Sequence, residues 1–127
     1  MHNIWIADDD EAIRLVLEES LSSAGFKTKS FSSGDDLVSE LESSEPDLII
    51  TDVQMPGMLG YDLLKHITNN YEDLPVIVMT AFADMQAAVE SFGGGAFEYM
   101  PKPFDLEDAI KIVERALEEK PKTKGIK

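Results

Sequence analysis

Apolar residues along this chain recur with two different periods. Ile4-Trp5-Ile6-Ala7, Leu48-Ile49-Ile50 and Val76-Ile77-Val78-Met79 are unbroken apolar runs. Short runs without alternation predict strands buried on both faces, as in a parallel sheet covered by helices. Lys27-Thr28-Lys29-Ser30-Phe31 and Ala96-Phe97-Glu98-Tyr99-Met100 are mixed in polarity and predict strands at the sheet edges. Between the runs, apolar residues return at helical spacing. The sets are Ile13, Val16, Leu17 and Leu21; Leu37, Val38 and Leu41; Leu63, Leu64 and Ile67; Met85, Ala88, Val89 and Phe92; and Leu106, Ala109, Ile110, Val113 and Leu117. Asp10, Asp84 and Asp105 stand where N-caps are expected, Ser33-Gly34 opens the second helix, and Gly25 suits the end of the first. Trp5 is expected in the core, and His2 and His66 in solvent.

Five strands alternating with five helices predict a doubly wound α/β fold, flavodoxin-like in topology. The apolar first, third and fourth strands belong at the centre and the mixed second and fifth at the edges. The strand order 2-1-3-4-5 meets this condition with right-handed crossovers. It puts the switch point between the first and third strands, where open α/β sheets bind ligands. Both of those strands run into aspartates, Asp8-Asp9 and Asp52.

Length and composition narrow the picture. A chain of 127 residues suits one domain, expected over 1–119, with 120–127 as a Lys-rich tail or the start of a linker. There are no cysteines, which excludes disulfides and thiolate chemistry. No signal peptide or membrane-length apolar run is evident, so a cytoplasmic protein without membrane contact is expected. The formal charge is −14, and the body to Glu119 carries 7 basic against 25 acidic residues. Such a body repels phosphate backbones, which argues against direct nucleic-acid binding.

Four features collect at one rim of the predicted sheet: Asp8-Asp9, Asp52, Thr80 and Lys102. Converging carboxylates repel one another and call for a hard divalent cation, for which Mg²⁺ fits best. Lys102 adds a point cation. A carboxylate flanked by a metal and a lysine can act as a nucleophile toward phosphorus. Thr80 offers a hydroxyl to a phosphoryl oxygen. Taken singly, the acids suit a solvated turn or helix cap, Thr80 a strand end and Lys102 the surface. The four features together favour a site.

These motifs resemble the response-regulator receiver domain, the phospho-acceptor half of two-component signalling. The resemblance rests on Asp8-Asp9, Asp52 followed by Met55-Pro56-Gly57, Thr80-Ala81 and Lys102-Pro103-Phe104, over residues 3 to about 119. The stretch from Gly95 to Leu106 is similar to the NtrC-type subgroup of transcription activators. The resemblance implies a (βα)₅ fold and Asp52 as the phosphorylated residue. Asp9, Asp52 and the Gln54 backbone carbonyl would be Mg²⁺ ligands, with Asp8 acting mainly through water. Lys102 would pair with the phosphoryl group, and Thr80 and Tyr99 would form the switch. It further implies a sensor histidine kinase as phosphodonor and an output face built from the fourth helix, fifth strand and fifth helix. A homodimer through that face, with ATPase and DNA-binding domains downstream, would follow in a longer chain. A free-standing CheY-like regulator is the alternative. The domain would catalyse only its own phosphorylation and dephosphorylation.

Two departures from the family pattern stand out. Leu59 replaces the aspartate common in the loop after the acceptor, and Gly93-Gly94-Gly95 is Gly-rich, which predicts a frayed end to the fourth helix. Phe82 beside the site offers no hydrogen bond to an attacking water, so a long phosphoryl lifetime is expected. The rival from another class is a haloacid-dehalogenase-like phosphatase, since Asp8-Asp9-Asp10 contains its Asp-x-Asp spacing. No further acid pair follows Lys102 at a strand end, and the chain has no room for a cap domain.

Overall fold

The computed structural model describes residues 2–53, 60–71, 73–92 and 95–119. The strands are β1 (Asn3–Ala7), β2 (Lys27–Phe31), β3 (Leu48–Asp52), β4 (Val76–Ala81) and β5 (Glu98–Lys102). The helices are α1 (Glu11–Ser23), α2 (Gly34–Leu41), α3 (Gly60–Asn70), α4 (Met85–Phe92) and α5 (Leu106–Glu118), with a 3₁₀ turn over Phe82–Asp84. The strands form one parallel sheet in the order β2-β1-β3-β4-β5. This is the predicted order, with the mixed-polarity strands at the edges.

Period-2 alternation of the strands divides the core into two layers. Ile4, Ile6, Leu48, Ile50, Ile77 and Met79 pack with Leu17 and Leu21 of α1 and with Ala109, Val113 and Ala116 of α5. Trp5, Ala7, Ile49, Val76 and Val78 face the other way, onto Leu37 and Leu41 of α2, Leu63, Leu64 and Ile67 of α3, and Ala88 of α4. All of these residues are buried, which is why the central strands needed to be apolar on both faces.

Local signals account for four helix ends. Asp10 caps α1 by accepting from Ala12 N, Ser33 caps α2 through Asp36 N, and Asp105 caps α5 through Glu107 N. Helix α1 closes with a Schellman motif: Gly25 N donates to Ser22 O, Phe26 N donates to Leu21 O, and Gly25 has φ +98°.

Three expectations need correction. Val16 is 41% exposed, because the apolar stripe of α1 is narrower than its spacing suggests; only Leu17 and Leu21 are buried on that helix. Val89 of α4 is 42% exposed for the same reason. Strand β5, Glu98–Lys102, lies two residues later than expected, so Pro101 and Lys102 fall inside it; Asp84 directly precedes α4 at the end of the 3₁₀ turn. Gln54, Leu59, Gly93, Gly94, the segment 120–127 and the side chains of Phe82 and Phe92 lie outside the described residues. Among the described residues, no helix is long and apolar enough to cross a membrane.

Candidate functional site

Strands β1 and β3 are neighbours, with Ala7 opposite Thr51, so their C-terminal ends deliver Asp8 and Asp52 side by side. Strand β4 brings Met79 opposite Asp52, and β5 brings Lys102 opposite Ala81. Asp52 has the parity of Leu48 and Ile50, and Lys102 that of Met100. Both therefore belong to the α1/α5 side of the rim. Thr80 has the parity of Val76 and Val78, and Tyr99 packs against the same layer, on the α2–α4 side.

One oxygen from each of Asp8, Asp9 and Asp52 lies within 4.8 Å of the others. Asp8 is fully buried, Asp9 exposed and Asp52 intermediate. Lys102 Nζ is 2.9 Å from Asp8 Oδ2 and 3.4 Å from Asp52 Oδ2. The second oxygen of Asp8 accepts from Asp10 N at 2.9 Å, which is how a fully buried carboxylate is satisfied. Asp52 Oδ1 accepts from Val53 N at 2.8 Å. The backbone carbonyl of Asp52 accepts from the Thr51 hydroxyl at 3.0 Å.

Burial is the largest influence on the Asp52 carboxyl and raises its pKa above the ordinary 3.8. The charge of Asp8 adds to this, and Lys102 and the Val53 amide oppose it without prevailing. For Lys102, burial works to lower the pKa, but the Asp8 hydrogen bond and the charges of both aspartates outweigh it, and the net shift is upward. An isolated ion pair would raise the base and lower the acid. Here both rise, because at Asp52 burial and the Asp8 charge together outweigh Lys102, whose shorter contact goes to Asp8. The site thus has a deficit of positive charge. Burial also raises the Tyr99 hydroxyl.

The donor set fits a hard cation, being all oxygen, with three carboxylates against the single charge of Lys102. The three carboxylate oxygens are close enough for one small cation to sit among them, held directly by some and through water by others. The structure therefore brings together Asp8, Asp9, Asp52 and Lys102. Thr80, 4% exposed, and Tyr99 stand on β4 and β5 beside them. Gln54 falls in the segment not described.

Arg14 was not anticipated from the sequence: its Nη1 donates to the Asp8 carbonyl at 2.7 Å. The available signal was a lone basic residue in the first turn of a helix preceded by Asp8-Asp9-Asp10. The structure also weakens the phosphatase alternative. An Asp-x-Asp nucleophile would be Asp8, which is 0% exposed, while Asp10 caps α1.

Comparison with known proteins agrees with this geometry. The family model for the response regulator receiver domain matches residues 4–114. The DNA-binding transcriptional regulator NtrC of Salmonella typhimurium is 46% identical over 114 residues, covering 90% of this chain and 24% of that protein. The chain thus spans about a quarter of the length of the curated relatives it matches. Among solved structures, the apo receiver domain of nitrogen regulatory protein C is 45% identical with a TM-score of 0.84, over 92% of this chain and 94% of that one. The response regulator TrrA of Thermotoga maritima, in complex with Mg²⁺-BeF, is 28% identical with a TM-score of 0.82, over 91% and 99%. A (βα)₅ sheet of this order, its acid pair, central-strand aspartate and lysine at one rim, and a match over nearly the whole chain lead to one assignment: this chain belongs to the response regulator receiver domain family, in its NtrC-type branch.

Proposed function

We propose that this domain takes a phosphoryl group onto Asp52 from the phosphohistidine of a sensor histidine kinase, in a Mg²⁺-dependent reaction. One observation carries the proposal. Asp52 ends a central strand within reach of Asp8, Asp9 and Lys102, in a rim left short of positive charge. Asp9, Asp52 and the Gln54 backbone carbonyl would hold Mg²⁺, with Asp8 contributing mainly through water. Bound there, the ion supplies neutralisation of charge on the transferring group. The TrrA relative, solved with Mg²⁺-BeF, supports the same ligand chemistry here.

The chain's own residues do the rest. Val53 N–H holds Asp52 Oδ1, which leaves Oδ2, facing Lys102, as the nucleophile. Its oxygen–phosphorus bond forms as the phosphorus–nitrogen bond to the donor imidazole breaks, and the electron pair returns to the ring nitrogen. Lys102 turns from Asp8 toward a phosphoryl oxygen. The Thr80 hydroxyl donates to another, and Tyr99, packed on the α4 side of the sheet, follows Thr80. This couples the acceptor to α4, β5 and α5 as an output face, through which two copies would pair. The NtrC relatives are DNA-binding transcriptional regulators about four times as long. A downstream ATPase and DNA-binding module is accordingly the output proposed for this receiver.

The test is incubation with a small phosphodonor and Mg²⁺, followed by intact mass. A single phosphate adduct that disappears in Asp52→Asn is expected. An adduct that survives that substitution would overturn the assignment of the acceptor.

A further inference from the structure

We propose that Arg14 is a positioning residue of the metal site, acting through the backbone rather than through charge. The inference rests on the Mg²⁺ reading above. Arg14 lies in the opening turns of α1, half-buried, beside Asp8, Asp9 and Asp10. A guanidinium among carboxylates would ordinarily pair with one of them. It does not: among the described residues, no ion pair within 4.0 Å involves Arg14. Its Nη1 donates instead to the Asp8 carbonyl at 2.7 Å, a short, charge-assisted bond.

That carbonyl belongs to the peptide joining Asp8 to Asp9. The Asp8 side already has anchors, since its N–H donates to Phe31 O at 3.1 Å and its carboxylate accepts from Asp10 N and Lys102. The same Asp10 N–H also holds the peptide on the far side of Asp9, so the Asp9 backbone is fixed from two directions while its side chain is not. Among the described residues, no hydrogen bond or ion pair holds the exposed Asp9 carboxylate. Its aim is set by the two peptides that flank it, and Arg14 fixes the first of them. Arg14 thus reaches back from α1 across six residues and clamps a peptide whose rotation would swing Asp9 away from Asp8 and Asp52.

The two roles open to Arg14 predict opposite signs. If the guanidinium matters only as charge, removing it from beside an acidic cation site tightens metal binding. If it orients a ligand, removing it weakens binding by about 10-fold or more, as is usual for groups that orient metal ligands. The experiment is calorimetric titration of the whole chain with Mg²⁺, wild type against Arg14→Met, which keeps the length of the stem. Melting in EDTA reports stability separately, because a merely structural role moves the midpoint but not the affinity of the folded protein. Should Arg14→Met fail to fold, Arg14→Gln is titrated in its place. Weakening of about 10-fold in a folded variant is expected. Unchanged or tighter binding, with wild type binding normally, overturns the role of Arg14 alone. No Mg²⁺ binding by wild type overturns the metal reading itself, and this inference with it.

Discussion

Lys102 Nζ lies nearer to Asp8 than to Asp52, 2.9 Å against 3.4 Å. The residue that the family resemblance assigns to the phosphoryl group is therefore held by the buried acid beside it. This explains how Asp8 tolerates full burial, and why Lys102 does not offset the burial and the Asp8 charge that raise the Asp52 pKa. It also gives Lys102 a structural role beside the one proposed for it, which leads to measurable consequences.

Lys102→Met removes the cation from a carboxylate that has no solvent to turn to. Breaking a buried pair from one side costs about 3 kcal/mol. A loss of that size is expected in urea melts at neutral pH in EDTA, with added Mg²⁺ recovering part of it. The wild-type pair should also have an alkaline limit. The Lys102 pKa is raised, so its stabilisation is fully present below the ordinary lysine value of 10.5 and is lost as pH rises through the shifted one. The variant should lack that alkaline component.

Glu98 and Arg115 form the contrasting case. Their contact is 3.0 Å, as short as the pair at the rim, but the two side chains are 39% and 47% exposed. Solvent screens such a pair, and its loss costs well under about 1 kcal/mol. Glu98→Gln should move the urea midpoint very little. A loss as large as that of Lys102→Met would mean that the stacking of Arg115 over the Phe97 ring, 5.5 Å away, depends on the carboxylate.

The sheet and the acidic rim were legible in the sequence because each had a local signal. Ile49 and Ile50 had to face opposite layers, and only a central parallel strand allows that. The Asp8-Asp9 pair and Asp52 were exposed by the way their apolar runs stop. Burial on the helices was less legible. Val16 and Leu17 are adjacent and equally apolar, yet one is 41% exposed and the other 0%, because helix rotation is set by packing on the sheet. Arg14 left only the weak signal of a lone base after a run of acids, since a side chain bonding a carbonyl six residues back leaves no periodic trace.

Gly25 was readable as a helix end, and its cost can be isolated. It takes φ +98°, and a Cβ added there meets nothing within 4 Å. Gly25→Ala therefore tests backbone strain without a steric clash. The expected loss is about 1 kcal/mol. For a domain of this size that is roughly 4 °C in the thermal midpoint. Mg²⁺ affinity should be unchanged, because Gly25 lies at the opposite end of α1 from the acids.

Asp52→Asn separates the cost of the acceptor from its use. Burial and Asp8 raise the wild-type carboxyl, so its protonated form is favoured on folding. Its contribution to stability is fully present below the ordinary value of 3.8 and is lost as pH rises through the shifted one. Asparagine can keep the bond from Val53 N and carries no charge to repel Asp8. In EDTA at pH 7 the variant should therefore melt above wild type, and the gap should close on acidification. Excess Mg²⁺ should shrink or reverse the gap at pH 7, because it stabilises the protein that keeps all three carboxylates more than the one that has lost one. Thermal melts of both proteins at two pH values, with and without Mg²⁺, check this. A variant that melts below wild type in EDTA at pH 7 would show that the Lys102 contact, not the repulsion from Asp8, governs Asp52.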